Sequence, residues 1–443
     1  MLATGPHHAY RGTTTTGERA MAEPHSGPRR PARPAAGAAA LLLLTACGSG
    51  PPIGEDAAPV ERAAVEQGLY PDAEEALLRS SFRLGSVMTA ADPARNTVTS
   101  PLSALYALAM LRVGAGTTTA EEMDVALALP AEHRDEALNA LLRSVGRFDG
   151  NPADVDEEDP PREPLLHLAN AVFVPEGGGI GEEFLDTLAR QYGAGVFPVD
   201  FADPVTNSRI DEWVSLETGG RIEEAPLDVD AQTMLSLLNT VYFAAAWDVP
   251  FAAEDTMDRA FTLSDGGAVD VPMMRKTDTV RYAEGAGWTG IDLPYGEGFF
   301  MRLVLPTEAV TPAWSGDDFM DIARTLDGAE EQYVALELPT WDHECTLDLL
   351  DVLGSLGLDE TFGPTPDFEA ILPDAFVSGG AQTANITVAE KGTIAAAVTQ
   401  IGVRMTSALP PALSISFDRP FSYQIVHEET GLPVFLGTVA DPR

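Results

Sequence analysis

The chain has 443 residues, enough for one large domain or two smaller ones, and 45% of them are hydrophobic, as in a globular protein. Its formal net charge is −41, and its only lysines are Lys276 and Lys391. Such an acidic body is a poor partner for nucleic acid or an anionic membrane surface, because like charges repel.

Residues 1–46 have the pattern of a secretory signal peptide. A group of arginines between residues 29 and 33 precedes an apolar run over residues 35–46. That run is too short to span a bilayer comfortably. Met21 is a possible true start, because the residues before it add nothing that such a signal needs.

The signal ends in Leu44-Thr-Ala-Cys47, which resembles a bacterial lipobox and implies lipid attachment at Cys47. The alternative is a plain signal peptide followed by a chance cysteine. Residues 47–71 are rich in Gly, Pro, Ala and acidic residues, which predicts a flexible tether. A lipid on Cys47 would hold the following domain, residues 72–443, at the outer face of the cell membrane. Cys345 is the other cysteine, and its apolar neighbours favour a buried structural thiol.

The body opens with helical patterns. Residues 73–89 carry apolar side chains at helical spacing, and Ser100-Pro101 fits the cap and the first position of the next helix. Residues 151–164 are acidic and Pro-rich, which is typical of a solvated loop. Two further helices are predicted at residues 182–191 and 207–218.

Strand patterns dominate the rest of the chain. Residues 166–174 read as one strand, and the continuous apolar run over residues 233–244 predicts a strand buried on both faces. Shorter strands bounded by Gly and Pro follow, and the last two are expected at residues 421–427 and 434–439.

A stretch near the C-terminus combines a strand with a run of small residues. Residues 386–390 are rich in β-branched side chains, and Gly392 offers a hinge because glycine rotates freely in φ. Small side chains follow at Thr393, Ala395, Ala396 and Ala397. Such a segment could be an ordinary surface loop. It could also enter a sheet between two existing strands, since small residues lower the cost of entering a packed interior.

Several motifs together resemble the serpin family, in the order that serpins have them, from about residue 72 to the C-terminus. The motifs are the string over residues 96–117, Leu238-Asn-x-x-Tyr-Phe-x-x-x-Trp-x-x-Pro-Phe251, Val271-Pro-Met-Met, Glu390-Lys-Gly-Thr-Ile-Ala-Ala-Ala397 and Ile415-Ser-Phe-Asp-Arg-Pro-Phe421.

The resemblance implies an α+β serpin fold, with about nine helices around a large central mixed β-sheet and two smaller sheets. An exposed reactive-centre loop would occupy about residues 391–411. Glu390, Gly392 and the small residues up to Ala397 would form its hinge. Ser100, Ser103, Asn239 and Gln382 would lie under the opening of the main sheet, and Trp247 would lie where the loop begins to insert.

The implied activity is suicide-substrate inhibition of serine endopeptidases by a monomer without cofactor or metal. Serpins usually place the cut bond at a fixed distance from the acidic hinge residue, and counting from Glu390 reaches Thr406–Ser407. Thr406 ranks first and suits an elastase-like enzyme. Met405 comes next and suits an elastase- or chymotrypsin-like enzyme, followed by Arg404, which suits a trypsin- or subtilisin-like enzyme.

Two other classes of function stay open. One is a non-inhibitory serpin that acts as a surface binding protein, although such relatives often carry bulky or charged residues in the hinge. The other is a lipoprotein hydrolase. We do not expect an enzyme, because the chain has no Gly-x-Ser-x-Gly, Ser-x-x-Lys, His-Glu-x-x-His or phosphate-binding glycine motif.

Gln382 stands where many serpins have a buried histidine, and an amide does not titrate near neutral pH. We therefore predict that the rate of strand insertion changes less with pH in the wild type than in Gln382→His. Insertion rates measured between pH 5.5 and pH 8 test this, and equal pH dependence of the two proteins would contradict it.

Overall fold

The computed structural model describes residues 62–90, 95–308, 310, 312–394 and 413–443. These residues form an α+β fold. The helices within them are α1 (Pro71–Ala90), α2 (Pro101–Val113), α3 (Thr117–Ala126), α4 (Arg134–Val145), α5 (Glu182–Thr187), α6 (Val205–Glu217), α7 (Gly316–Asp327) and α8 (Leu349–Gly354). About nine helices were expected, and the described residues contain eight.

The strands alternate with these helices in the first half of the chain and dominate the second. They are β1 (Thr97–Thr99), β2 (Leu165–Pro175), β3 (Gly195–Val199), β4 (Ser236–Ala246), β5 (Met257–Thr262), β6 (Ala268–Gly285), β7 (Trp288–Pro294), β8 (Phe299–Pro306), β9 (Glu331–Pro339), β10 (Trp341–Asp348), β11 (Ala381–Ala389), β12 (Gly392–Thr393), β13 (Leu413–Ser416), β14 (Phe421–His427) and β15 (Pro433–Val439).

Six strands form a mixed sheet in the order β10-β11-β12-β4-β2-β3. The β2–β3 pair is parallel and the other pairs are antiparallel. The predicted two-sided burial of β4 holds only for its C-terminal half, because its first four residues are half-buried. This sheet contains the hinge residues and is therefore the sheet that matters for function.

Nine strands form the second sheet, in which β6 joins two parts. The path is β1-β15-β14-β8-β7-β6-β9-β13, and β5 pairs with the beginning of β6. Two smaller sheets were expected from the resemblance. They are one continuous hydrogen-bonded path here, because β6 is long enough to pair with β5 at one end and with β7 at the other.

Helix α2 packs between the two sheets, against β4 on one side and β15 on the other. Its apolar residues are buried almost all round, as expected for a helix in the centre of a large protein. The predicted cap is confirmed: the Ser100 hydroxyl accepts a hydrogen bond from the Ser103 N–H, and Pro101 is the first helical residue. The helix thereby places Ser100 and Ser103 directly under the six-stranded sheet.

Two local predictions, for the helix over residues 182–191 and for Cys345, differ from the structure. Residues 62–70, predicted as tether, contact the body, since the Ala63 N–H donates to the Arg190 carbonyl at 2.8 Å. The predicted helix over residues 182–191 ends early as α5 and continues as a π-helical segment, Leu188–Tyr192. Cys345 is half-buried against the main core and not fully buried. None of the helices in the described ranges is long and apolar enough to cross a membrane.

His167 of β2 ties two other segments to the outer face of the six-stranded sheet, the face that α6 covers. Its Nδ1 lies 2.7 Å from the Asp149 carboxylate, and its Nε2 lies 2.6 Å from the carboxylate of Glu217 at the end of α6. The hydrogen bond to Glu217, and then the bond and charge of Asp149, raise the pKa of His167 despite its partial burial.

We expect the protonated form of His167 to add stability to the fold, because only the imidazolium can donate to both carboxylates. Because its pKa is raised in the folded state, this contribution is complete below the unfolded value of about 6.5 and is lost as the pH rises through the folded value. The free energy of unfolding of the wild type, measured in urea relative to His167→Gln, should therefore fall between pH 6 and pH 9. A difference that stays constant over that range would contradict this assignment.

Candidate functional site

The hinge enters the six-stranded sheet as a short strand of its own. In β12, Gly392 pairs with Ala389 and Ala246, and Thr393 pairs with Val388 and Ala245. Both pairings are antiparallel, so the chain turns back after β11 and runs down between β11 and β4.

Gly392 is needed for close approach and not for an unusual φ. Its φ lies outside the left-handed region in this conformation. A Cβ at this position would lie 2.1 Å from the Ala245 carbonyl oxygen and 2.8 Å from the Ala246 Cα. Only glycine lets β12 come within hydrogen-bonding distance of β4 here.

The Thr393 side chain points into the core and contacts Tyr295, which stacks on Trp247. Its Oγ1 lies 2.5 Å from the Tyr295 hydroxyl, and Thr393 is 2% exposed. The Tyr295 ring stacks on Trp247 with centroids 4.5 Å apart, and burial raises the pKa of Tyr295. Sequence reasoning missed Tyr295, which is far from the hinge in the chain and carries no motif that marks it.

Trp247 and its neighbours hold the turn that precedes β12. The Trp247 indole N–H donates to the Ala389 carbonyl and its backbone N–H donates to the Lys391 carbonyl, both at 2.9 Å. The Glu390 carboxylate accepts a hydrogen bond from the Thr256 hydroxyl at 2.8 Å. Glu390, Gly392, Thr393 and Trp247, all selected from the sequence, therefore lie together at the end of β4.

Ile394 ends the inserted strand in a strained conformation. Its N–H still donates to the Thr387 carbonyl at 2.8 Å, but its φ is +68°, which a β-branched residue rarely adopts. Its side chain lies on the outer face of the sheet with Tyr242 and Ala244. It is only 4% exposed there, because Val155 and Leu165 pack against this cluster.

A cleft continues between β4 and β11 below the hinge. Its upper part has a volume of about 30 Å³ and is lined by residues including Tyr242, Phe243, Asn385 and Ile394. Its lower part has a volume of about 70 Å³ and extends to Gln382. Within the described ranges, β4 and β11 are connected only through β12 and have no direct pairing with each other.

A polar cluster forms the floor of the lower cleft. The Gln382 amide accepts from the Ser100 N–H at 2.8 Å and donates to the Ser100 carbonyl at 3.0 Å. The Ser100 hydroxyl donates to the Val434 carbonyl at 2.8 Å, and the Ser103 hydroxyl lies 3.5 Å from the Asn239 carbonyl. The cluster therefore ties α2 to both edges of the cleft.

Asn239 joins this floor through its backbone and not through its amide. Its side-chain N–H donates to the Asn170 side chain on β2 at 2.7 Å. The buried Asn239 side-chain oxygen has no hydrogen-bond partner among the described residues. Asn239 therefore contributes its carbonyl to the floor, while its side chain bonds Asn170 on the neighbouring strand.

The remaining predicted site residues lie outside the described residues. They are the hinge residues Ala395, Ala396 and Ala397, the reactive bond Thr406–Ser407 with its alternatives Met405 and Arg404, and the lipidation site Cys47.

Sequence comparisons identify relatives over most of the chain. The family described as serpin (serine protease inhibitor) matches residues 75–442. A serpin-like protein of Thermococcus kodakarensis is 33% identical over 358 residues, which are 79% of this chain and 81% of that protein. Plasminogen activator inhibitor 1 of Bos taurus is 30% identical over 364 residues, 79% of this chain and 87% of the inhibitor.

Solved structures show the same fold. The native state of the thermophilic serpin tengpin superimposes with a TM-score of 0.72 at 26% identity, covering 87% of this chain and 97% of tengpin. Thyroxine-binding globulin in complex with thyroxine has a TM-score of 0.69 at 23% identity, covering 84% of this chain and 99% of the globulin. The latter shows likeness of fold alone.

The family match spans most of the chain. The exposed loop was expected to begin at about residue 391, but Gly392 and Thr393 are buried and paired with β11 and β4, because the chain turns back into the sheet at this point. The chain belongs to the serpin family, whose general type of function is protease inhibition.

Proposed function

We propose that this chain is a suicide-substrate inhibitor of serine endopeptidases. The observation that carries the proposal is that β12 already lies between β4 and β11, while the cleft continues beyond it. Loop insertion of this kind has precedent in serpins. The remainder of the loop would follow β12 down the same cleft after cleavage.

The chemistry of the trap belongs to the protease. Its serine Oγ adds to the carbonyl carbon of the attacked residue, and an ester forms as the peptide bond breaks. The proton from Oγ leaves with the new amine. Insertion of the freed loop then carries the acylated protease away from its starting position before water can hydrolyse the ester.

The driving force comes from groups that the intact chain leaves unpaired or underpacked along the cleft. A strand between β4 and β11 would gain ladder hydrogen bonds on both edges and would bury its inward side chains over the floor formed by α2. The intact chain would therefore be metastable, held by the rate of insertion and not by equilibrium.

The bond Thr406–Ser407 remains our first choice for the cut, followed by the bonds after Met405 and Arg404. Thr406 would favour an elastase-like target, Met405 an elastase- or chymotrypsin-like target, and Arg404 a trypsin- or subtilisin-like target. These choices rest on counting from Glu390, whose position at the turn before β12 supports its use as the reference.

The second candidate is a non-inhibitory serpin, for which thyroxine-binding globulin with its bound thyroxine is a precedent in fold. The hinge argues for inhibition. Thr393 is small enough to be buried beside Tyr295, and small residues continue from Ala395 to Ala397.

We expect the domain, residues 72–443, to form a complex that survives SDS with at least one of pancreatic elastase, chymotrypsin, trypsin and subtilisin. Gel electrophoresis after mixing gives the summed mass, and mass spectrometry of the released C-terminal peptide locates the cut. Clean cleavage without a complex, and without a rise in thermal stability, would favour the non-inhibitory alternative.

Thr393→Arg should convert the inhibitor into a substrate. Because Thr393 is already buried in β12 of the intact chain, the guanidinium would first expel this position from the sheet. Insertion after cleavage would then have to bury it unpaired beside Tyr295, which costs several kcal/mol, and each ~1.4 kcal/mol slows insertion about tenfold. The fraction of protease trapped should therefore fall to near zero while cleavage continues. Thr393→Ser, which keeps the hydroxyl, is the matched control and should trap as the wild type does. Equal trapping by both variants would contradict insertion at this position.

We further propose that lipid on Cys47 anchors the protein to the outer face of the cell membrane, on the basis of the Leu44-Thr-Ala-Cys47 motif. In a bacterial host, Cys47→Ser should move the protein from the membrane fraction to a soluble fraction. Mass spectrometry of the wild-type N-terminal peptide should show a diacylglyceryl group. Equal membrane association of both proteins would overturn the anchor.

A further inference from the structure

The acidic loop over residues 151–164, called the acidic strap below, is seated across the end of the cleft. The Pro161 carbonyl accepts a hydrogen bond from the Ala246 N–H at the end of β4, at 2.8 Å. Gly296 permits a close approach, since a Cβ there would lie 2.0 Å from the Arg162 carbonyl oxygen. The acidic side chains face solvent as predicted, but several prolines of the loop are buried.

The acidic strap contacts the hinge at two points. The Lys391 ammonium donates to the Glu158 carbonyl at 2.9 Å and to the Asp159 carboxylate at 3.2 Å. Val155 packs against the buried cluster that contains Ile394. The strap therefore holds the residues on both sides of β12.

Arg221, just beyond α6, connects the acidic strap to β11. Its Nε lies 3.2 Å from the Glu157 carboxylate. Its Nη1 donates to the side chains of Asn385 and Thr387. Arg221 also lines the upper cleft, so its side chain lies over the outer face where the residues after Ile394 would pass.

Continued insertion requires these contacts to change. The residue after Ile394 can pair with β4 and β11 only if the φ of Ile394 returns from +68° to the extended region. That rotation moves the Ile394 side chain relative to Val155, and the outward side chains of the new strand need the space that Arg221 occupies.

We propose that the acidic strap restrains the hinge at Thr393 in the intact chain and so slows insertion until the loop is cut. This inference rests on the proposed function, because it assigns a control to the same insertion. The restraint consists of two ion pairs, Lys391–Asp159 and Arg221–Glu157, and of the packing of Val155 against Ile394.

The test compares two double variants of the acidic strap with the same change in charge. Glu157→Gln/Asp159→Asn removes the charges that bind Arg221 and Lys391. Asp154→Asn/Glu163→Gln is the control, because neither carboxylate makes a hydrogen bond or ion pair within the part of the chain that the structure describes, and both residues are exposed. Arg221→Met is an independent variant that acts from the other side of the contact.

Hydrogen exchange on the intact secreted chain gives the first readout. The amides of Trp247, Phe251 and Ile394 bond to the hinge turn or to β11 and report its opening. We expect exchange at these amides to be roughly three- to tenfold faster in Glu157→Gln/Asp159→Asn and in Arg221→Met, the scale of losing partly exposed ion pairs. The control variant should exchange as the wild type does. Equal exchange in all proteins would overturn the proposal.

The second readout is the rate at which cleaved protein gains thermal stability. The same two variants should gain it faster than the wild type and the control. Faster exchange without faster insertion would show that the acidic strap only stabilises β12 and does not control insertion. That result would also overturn the proposal. If the wild type gains no stability after cleavage, the proposed function fails, and the exchange data alone decide whether the strap restrains the hinge.

Discussion

The structure depends on one constraint, which is that a strand edge in the middle of a sheet must be paired. Buried backbone N–H and C=O groups cost free energy when they lack partners. A sheet whose central strands are separated therefore gains free energy of stabilisation if the strands pair with each other or with an inserted strand. In this chain β12 supplies the first pairs between β4 and β11, and it is only two residues long. Everything around the hinge either permits those pairs or ends them.

What permits the pairs is specific to each residue. The missing Cβ of Gly392 lets the backbone approach Ala245, and the small side chain of Thr393 fits over Tyr295 and Trp247. What ends the pairs is equally local. Ile394 leaves the extended conformation at the point where its side chain is buried against the acidic strap. Since a β-branched residue disfavours positive φ, its packing on the outer face must offset that strain.

Sequence reasoning located the site but not its internal contacts. The Leu238–Phe251 motif and the Ser100-Pro101 cap placed β4 and α2 correctly, because burial and capping leave strong local patterns. Tyr295, Asn170 and Arg221 were missed, since each acts through a partner distant in the chain. Gly392 was selected for its rotational freedom, and the structure adds a second reason for glycine at this position, which is the close approach to Ala245.

The strongly negative charge of the chain makes the basic side chains at the hinge unusual. The chain has 27 Lys and Arg residues against 68 Asp and Glu residues, so few acidic segments can have a basic side chain nearby. One of the two lysines, Lys391, lies at the turn before β12. Lys391 and Arg221 both approach the acidic strap, which would otherwise carry its carboxylates beside others of the same sign. An acidic protein can thus restrain a moving segment with very few basic side chains, since each one attracts a strap that the rest of the surface repels.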